Sequence, residues 1–206
     1  MSVIYTLQQA VDTLLATSAL ELIAVALGLA YLLLAARENI ACWYAAFVST
    51  AIYTLLFWDV SLYMESVLQV YYLAMAIYGW WQWRGGNNGS ETLPIRSFSA
   101  LQHGLAIVTV LTAVVITGFL LERHTDAALP YLDAFTTWGA VLTTWMVAKK
   151  ILENWLYWIV IDSAAIYLYL QRGLALTALL FALYVLLCIF GYIEWQKHYR
   201  RQSTGG

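Results

Sequence analysis

Seven apolar runs, each close to 20 residues, fill most of the chain and constrain its fold more than any other feature. They cover about 18–36, 40–58, 62–83, 100–121, 131–148, 152–171 and 174–195. A helix needs about 20 residues to cross the hydrocarbon core. Lipid offers no partner to a free backbone N–H or C=O, so helices are the expected form. Composition agrees. The 206 residues are 63% hydrophobic and 11% charged, with mean hydropathy +0.72, whereas a soluble domain is about one-quarter charged. The expectation is an all-α integral membrane protein with seven transmembrane helices and the bilayer as its partner. A net charge of −2 argues against a nucleic-acid partner.

The connections sharpen the reading. Ser18 and Glu21 fit a capping box at the first helix, and Pro130 suits the first turn of the fifth. The stretch from Arg84 to Phe98 contains Gly85, Gly86, Gly89 and Pro94 and reads as a flexible linker. Residues 1–17 place Ile4, Leu7, Val11, Leu14 and Leu15 near one helical face and read as an interfacial segment. No Lys or Arg precedes Arg37, so the start is not read as a cleaved signal. Whether the final Ser203 to Gly206 are native is left open.

The basic residues set an orientation. One side receives Arg37, Arg84, Arg96, Lys149, Lys150, Lys197, Arg200 and Arg201, and the other only Arg123 and Arg172. By the positive-inside rule the C-terminus is cytoplasmic and the N-terminus outside, in a bacterial inner membrane.

An offset of 112 residues superimposes Gly79 to Trp83 on Gly191 to Trp195. The same offset pairs Trp43 with Trp155, Tyr72 with Tyr184 and Arg37 with Lys149. The chain therefore divides into residues 1–17, a first three-helix repeat (18–83), a linker with the fourth helix (84–130), a second repeat (131–196) and a tail (197–206). Equivalent helices of the two copies lie four apart in the order, an even number of crossings, so both have one orientation. Such parallel repeats are a transporter arrangement, with substrate held between the halves near the midplane.

The polar residues inside the runs are few. Trp155, Trp158 and Asp162 are spaced i, i+3, i+7 and share a helical face. Asp162 falls at mid-helix, where an acid costs several kcal/mol unless paired or hydrated and is usually functional; the alternative is a structural hydrogen-bond network. The two indoles could stack on an aromatic cation. Glu65, Gln69 and Tyr72 share a face of the third helix. Gln69 could bind a polar substrate edge or join helices, and Glu65 sits nearer the outer end. Trp43 and Tyr184 line the same cavity or pack. Cys42 and Cys188 read as small buried hydrophobes, with no disulfide or metal site. His103, His124 and His198 lie near helix ends, which argues against a two-histidine haem. The last helix has no lysine before Lys197 to form a retinal Schiff base. GxxxxGKS, HExxH and GxSxG are all absent. The chain is read as neither an enzyme nor a cofactor carrier.

The run Glu153-Asn154-Trp155, Trp158, Asp162, followed by Gln171-Arg172-Gly173, resembles the PnuC family of vitamin uptake transporters. Leu68-Gln69, Tyr78-Gly79-Trp80 and Gly191 to Trp195 match it as well, and the similarity spans about Leu20 to Arg201. The resemblance implies a 3+1+3 bundle like a full-length SWEET transporter. It also implies facilitated uptake of a vitamin, trapped inside by phosphorylation. Family members carry nicotinamide riboside or, in a PnuT subgroup, thiamine. Gln69, Asn154, Trp155, Trp158 and residue 162 would contribute to the central site. An acid at 162, where the resemblance leads one to expect Asn in the nicotinamide riboside branch, favours a fixed cation and tips the reading toward thiamine. Nicotinamide riboside, and a proton-coupled transporter in which Asp162 titrates, are the alternatives. Oligomeric state is open.

Overall fold

The computed structural model describes residues 19–59, 63–85, 93–125, 129–171 and 175–204. Within the helices, the side chains of 57, 59, 63–67 and 175–176 lie outside the described set. The segment 1–17, the Ser18 cap and Arg172 also fall outside it.

Among the described residues there are seven helices: α1 (Ala19–Ala36), α2 (Cys42–Asp59), α3 (Tyr63–Arg84), α4 (Ala100–His124), α5 (Pro130–Ala148), α6 (Asn154–Gln171) and α7 (Ala175–Thr204). Three stretches, Ala19–Ala36, Ala100–His124 and Thr177–Thr204, are long and apolar enough to cross a membrane by length and composition alone. Pro130 opens α5, where its missing N–H costs nothing. Helix α4 carries the capping box: Gln102 N donates to Ser99 Oγ at 3.3 Å and Ser99 N to Gln102 Oε1 at 2.8 Å.

Two expectations differ. Helix α7 does not stop near Trp195 but continues to Thr204. No Gly or Pro interrupts 197–204, Lys197 pairs with Glu194 at 2.7 Å, and the Ser203 and Thr204 hydroxyls donate to carbonyls one turn back. The expected tail is thus largely helix. The described part of the linker is held in place rather than loose. Arg96 N donates to Lys150 O (2.9 Å) and Leu152 N to Arg96 O (2.7 Å). Ser97 Oγ and Phe98 N both donate to the Glu153 carboxylate, and Ile95 is buried.

The helices pack as α1 on α2 on α3 and as α5 on α6 on α7. The two triplets meet where α1 touches α7 and where α3 touches α5. Exchanging the triplets (α1 for α5, α2 for α6, α3 for α7) maps each of these contacts onto another. Helix α4 packs on α5 and leaves Leu101, Leu105, Val108 and Val115 more than 60% exposed, an outward face suited to lipid.

Water does not drive helices together inside a bilayer, so close packing must. At one end, glycines admit indoles. Trp43 lies against Gly79, where an added Cβ would overlap the ring, and Trp155 lies against Gly191, where a Cβ would sit 2.7 Å from it. Trp43 meets Trp83 edge-on (centroids 5.4 Å, 86°), and Trp155 meets Trp195 likewise (5.4 Å, 89°). Trp83 Nε1 donates to Val147 O (3.3 Å) and Trp195 Nε1 to Ala35 O (2.9 Å). Every residue in these pairs is 112 positions from its counterpart. The interhelix turns repeat too: Glu38 and Lys150, again 112 apart, hold left-handed φ values of 53° and 51°. Their side chains pair with each other at 2.7 Å.

Candidate functional site

A cavity of about 480 Å³ lies between the two triplets. Its walls come from α1 (Gly28, Tyr31), α3 (Leu68, Gln69, Tyr72), α5 (Asp133, Thr136, Thr137), α6 (Trp158, Ile161, Asp162, Tyr169) and α7 (Phe181, Tyr184, Cys188). They belong to the middle of the bundle and to the end opposite Glu38 and Lys150. The volume is within the range of about 300–1,000 Å³ usual for small-molecule sites.

Asp162 is the defining residue of this cavity. It is 3% exposed, and the Cys188 thiol donates to its Oδ2 at a long 3.8 Å. Among the described residues, no Lys or Arg is in the cavity's walls. A thiol is a weak donor, so it offsets little of the cost of a carboxylate at this depth. Around the acid stand aromatic surfaces and hydroxyls. Tyr169, Phe181 and Tyr184 form a chain of ring contacts at 5.0 and 5.4 Å. Tyr72 meets Tyr71 edge-on at 5.5 Å, and Tyr71 is fixed to α5 by donating to Val141 O at 2.8 Å. Thr136 and Thr137 add two hydroxyls from α5.

Of the sequence candidates, Trp158, Asp162, Gln69, Tyr72 and Tyr184 come together on this cavity. Trp155, Trp43 and Asn154 do not line it. Trp155 and Trp43 lie in the closed aromatic layer described above, both nearly fully buried. Asn154 is buried in the first turn of α6, and its Nδ2 donates to Ile151 O at 2.7 Å. A face shared over seven residues therefore serves two layers, with Trp155 in the closed layer and Trp158 and Asp162 one to two turns farther into the cavity. The Nε1 atoms of Trp43 and Trp155 and Oδ1 of Asn154 are buried without a hydrogen-bond partner. The Glu65 side chain lies outside the described residues.

Sequence reasoning passed over Tyr31, Thr136, Thr137 and Phe181. The doublet Thr136-Thr137 inside an apolar run was the available signal. Cys188, read as a plain hydrophobe, is buried as expected but also faces Asp162.

A helical membrane bundle built from two triplets, with a solute-sized chamber between them that is sealed by packed indoles at one end, is the architecture of a small-solute membrane transporter. Residues 18–197 match the nicotinamide mononucleotide transporter family, and the chain belongs to that family. Its relatives include the riboflavin/roseoflavin transporter RibM of Streptomyces davaonensis, 24% identical over 180 residues (86% of this chain, 84% of RibM). The nicotinamide riboside transporter PnuC of Escherichia coli is 22% identical over 210 residues (90% and 88%). A crystal structure of the vitamin B3 transporter PnuC has the same fold, with a TM-score of 0.72 and 22% identity over 95% of this chain and 88% of that one. The family is one of multi-pass membrane transporters and not of enzymes. None of these named relatives is a thiamine transporter, so the preference for thiamine drawn from the acid at 162 gains no support from them.

Proposed function

We propose that this protein takes up a cationic aromatic vitamin, with nicotinamide riboside the substrate that its cavity and its relatives together favour. The observation that carries the reading is Asp162. A buried carboxylate with a thiol partner and no Lys or Arg among the described residues of the surrounding walls is completed by a ligand that brings its own positive charge. The pyridinium of nicotinamide riboside supplies that charge. Its ring suits the faces of Trp158 and Tyr184, and its amide and ribose hydroxyls suit Gln69, Tyr72 and the threonines. Riboflavin, named for one relative, has the aromatic surface without the fixed cation.

Transport by this reading alternates the two triplets about their shared seams. The end carrying Arg37, Lys149, Lys150 and Lys197 faces the cytoplasm by the positive-inside rule, so the packed indole layer lies on the cytoplasmic side of the chamber. The closure consists of the four indoles and the Glu38–Lys150 pair. No coupling ion is needed, and net uptake would follow from chemical consumption of the solute inside.

The test is titration of the detergent-purified protein, read by tryptophan fluorescence, with nicotinamide riboside, thiamine and riboflavin, repeated on Asp162→Asn. Tight binding of nicotinamide riboside that weakens about tenfold or more in the variant supports the reading, tenfold being about 1.4 kcal/mol. Binding of riboflavin alone, or nicotinamide riboside affinity unchanged by the substitution, sinks it. Uptake into liposomes that persists without any ion gradient separates facilitated transport from the proton-coupled alternative.

A further inference from the structure

A second cavity, of about 610 Å³, lies at the basic end outside the transport chamber, where α3, the linker, α4 and α5 converge. We infer that it holds the phosphate group of an anionic phospholipid from the adjoining leaflet. Its cations are Arg96, from the linker, and Lys149, from the end of α5; Gln82 and Gln102 add amide groups and Trp145 an indole.

Four observations carry the assignment. The cationic wall is built rather than incidental, because the Arg96 backbone is fixed on both sides, its N–H donating to Lys150 O and its C=O accepting from Leu152 N. Lys149 is steered as well, its Nζ resting 5.1 Å from the Tyr78 ring centroid. No acid is among the described residues of the cavity's walls. Glu153, the acid that the linker does engage, is occupied by Ser97 and Phe98 and lines a different, apolar groove. Finally, the cavity borders the lipid-facing surface. Trp145 is 38% exposed and Leu101, next to Gln102, is 72% exposed, so acyl chains have an apolar face to run along. Basic pockets between transmembrane helices at this depth suit anionic headgroups, whereas a soluble phosphate would gain nothing from Trp145 and Leu101.

The related seam explains why one site is expected and not two. At the 112-residue offset Lys149 corresponds to Arg37, but Gln82 corresponds to the acid Glu194, and no linker supplies a counterpart to Arg96. The occupied cavity bridges α3 of one triplet and α5 of the other, so a bound headgroup would brace a seam that moves during transport.

Native mass spectrometry in neutral detergent tests this, with titrations of phosphatidylglycerol, phosphatidylcholine and inorganic phosphate. Phosphatidylglycerol is expected to bind in preference to phosphatidylcholine, to weaken about tenfold in R96Q/K149Q, and to be retained in the control R200Q/R201Q. Arg96 is exposed, so R96Q alone keeps the fold and gives the same loss at smaller amplitude, about threefold. Unchanged lipid binding in both Arg96 variants overturns the assignment. So does an equal loss in R200Q/R201Q, which would make it an effect of net charge alone. Displacement of the lipid by inorganic phosphate at the lipid's own concentration also overturns it, assigning the cavity to soluble phosphate. Substrate binding in the central chamber is a separate readout, and its success or failure leaves this result unaffected.

Discussion

At the basic end, Trp43, Gly79, Trp83 and Glu38 each have a counterpart 112 residues later in an equivalent place, down to the pair of indole-to-carbonyl hydrogen bonds. In the central cavity the same offset mostly fails. Gln69 corresponds to Phe181, Asp162 to Thr50 and Trp158 to Ala46; of the residues argued to meet substrate, only Tyr72 and Tyr184 correspond as like to like. A seal between two similar halves can be built from the same parts twice, since each half presents the other with the same surface. A small asymmetric solute presents different groups to its two sides, so a chamber that recognises it must diverge between the halves. Duplication is kept where the halves meet each other and lost where they would meet the ligand.

The largest effects test the symmetric end. Trp83→Ala and Trp195→Ala are each expected to cost about 3–5 kcal/mol and to lower thermal stability in detergent by similar amounts. A small loss at one and a large loss at the other breaks the equivalence. Next comes the Glu38–Lys150 pair, with Lys150 buried. Glu38→Gln or Lys150→Met strands a charge, at a cost of about 3 kcal/mol. Because the two positions are equivalent, the exchange E38K/K150E should recover most of that stability, and failure to recover it would show that the two turns differ in ways their matched φ values conceal. His198 Nδ1 also lies 2.5 Å from Glu38, so the exchange is best measured beside His198→Ala, which shows how much the histidine takes from any recovery.

Smaller effects sharpen the asymmetric chamber. Gln69→Phe makes the cavity symmetric at that position. It should weaken substrate binding by about tenfold, or 1.4 kcal/mol, with little change in stability; unaltered affinity would remove Gln69 from the site. Smallest of all, Lys197→Gln removes a surface pair with Glu194 on α7 and should change stability by no more than about 0.5 kcal/mol. A larger loss would mean that the extension of α7 matters to the fold.

Much of this was legible in the chain. Seven runs of membrane length admit little but a helical bundle, because lipid leaves backbone groups no partner outside the helix. The glycine-to-tryptophan motifs exposed the repeat because Gly and Trp are rarely interchangeable with anything else. Asp162 stood out because an acid at mid-membrane is costly wherever it is placed. What stayed hidden depends on how helices rotate and slide against one another. Helical spacing put Trp155 on one face with Trp158 and Asp162. Only the packing of α6 on α7, with Gly191 making room for the Trp155 ring, assigned the first to the seal and the others to the chamber. The pairing of Glu38 with Lys150, the approach of Cys188 to Asp162 and the gathering of Arg96 with Lys149 join residues far apart in sequence. Periodicity along one helix states which residues share a face. It carries no information on which neighbour that face meets, and this the tertiary structure alone decided.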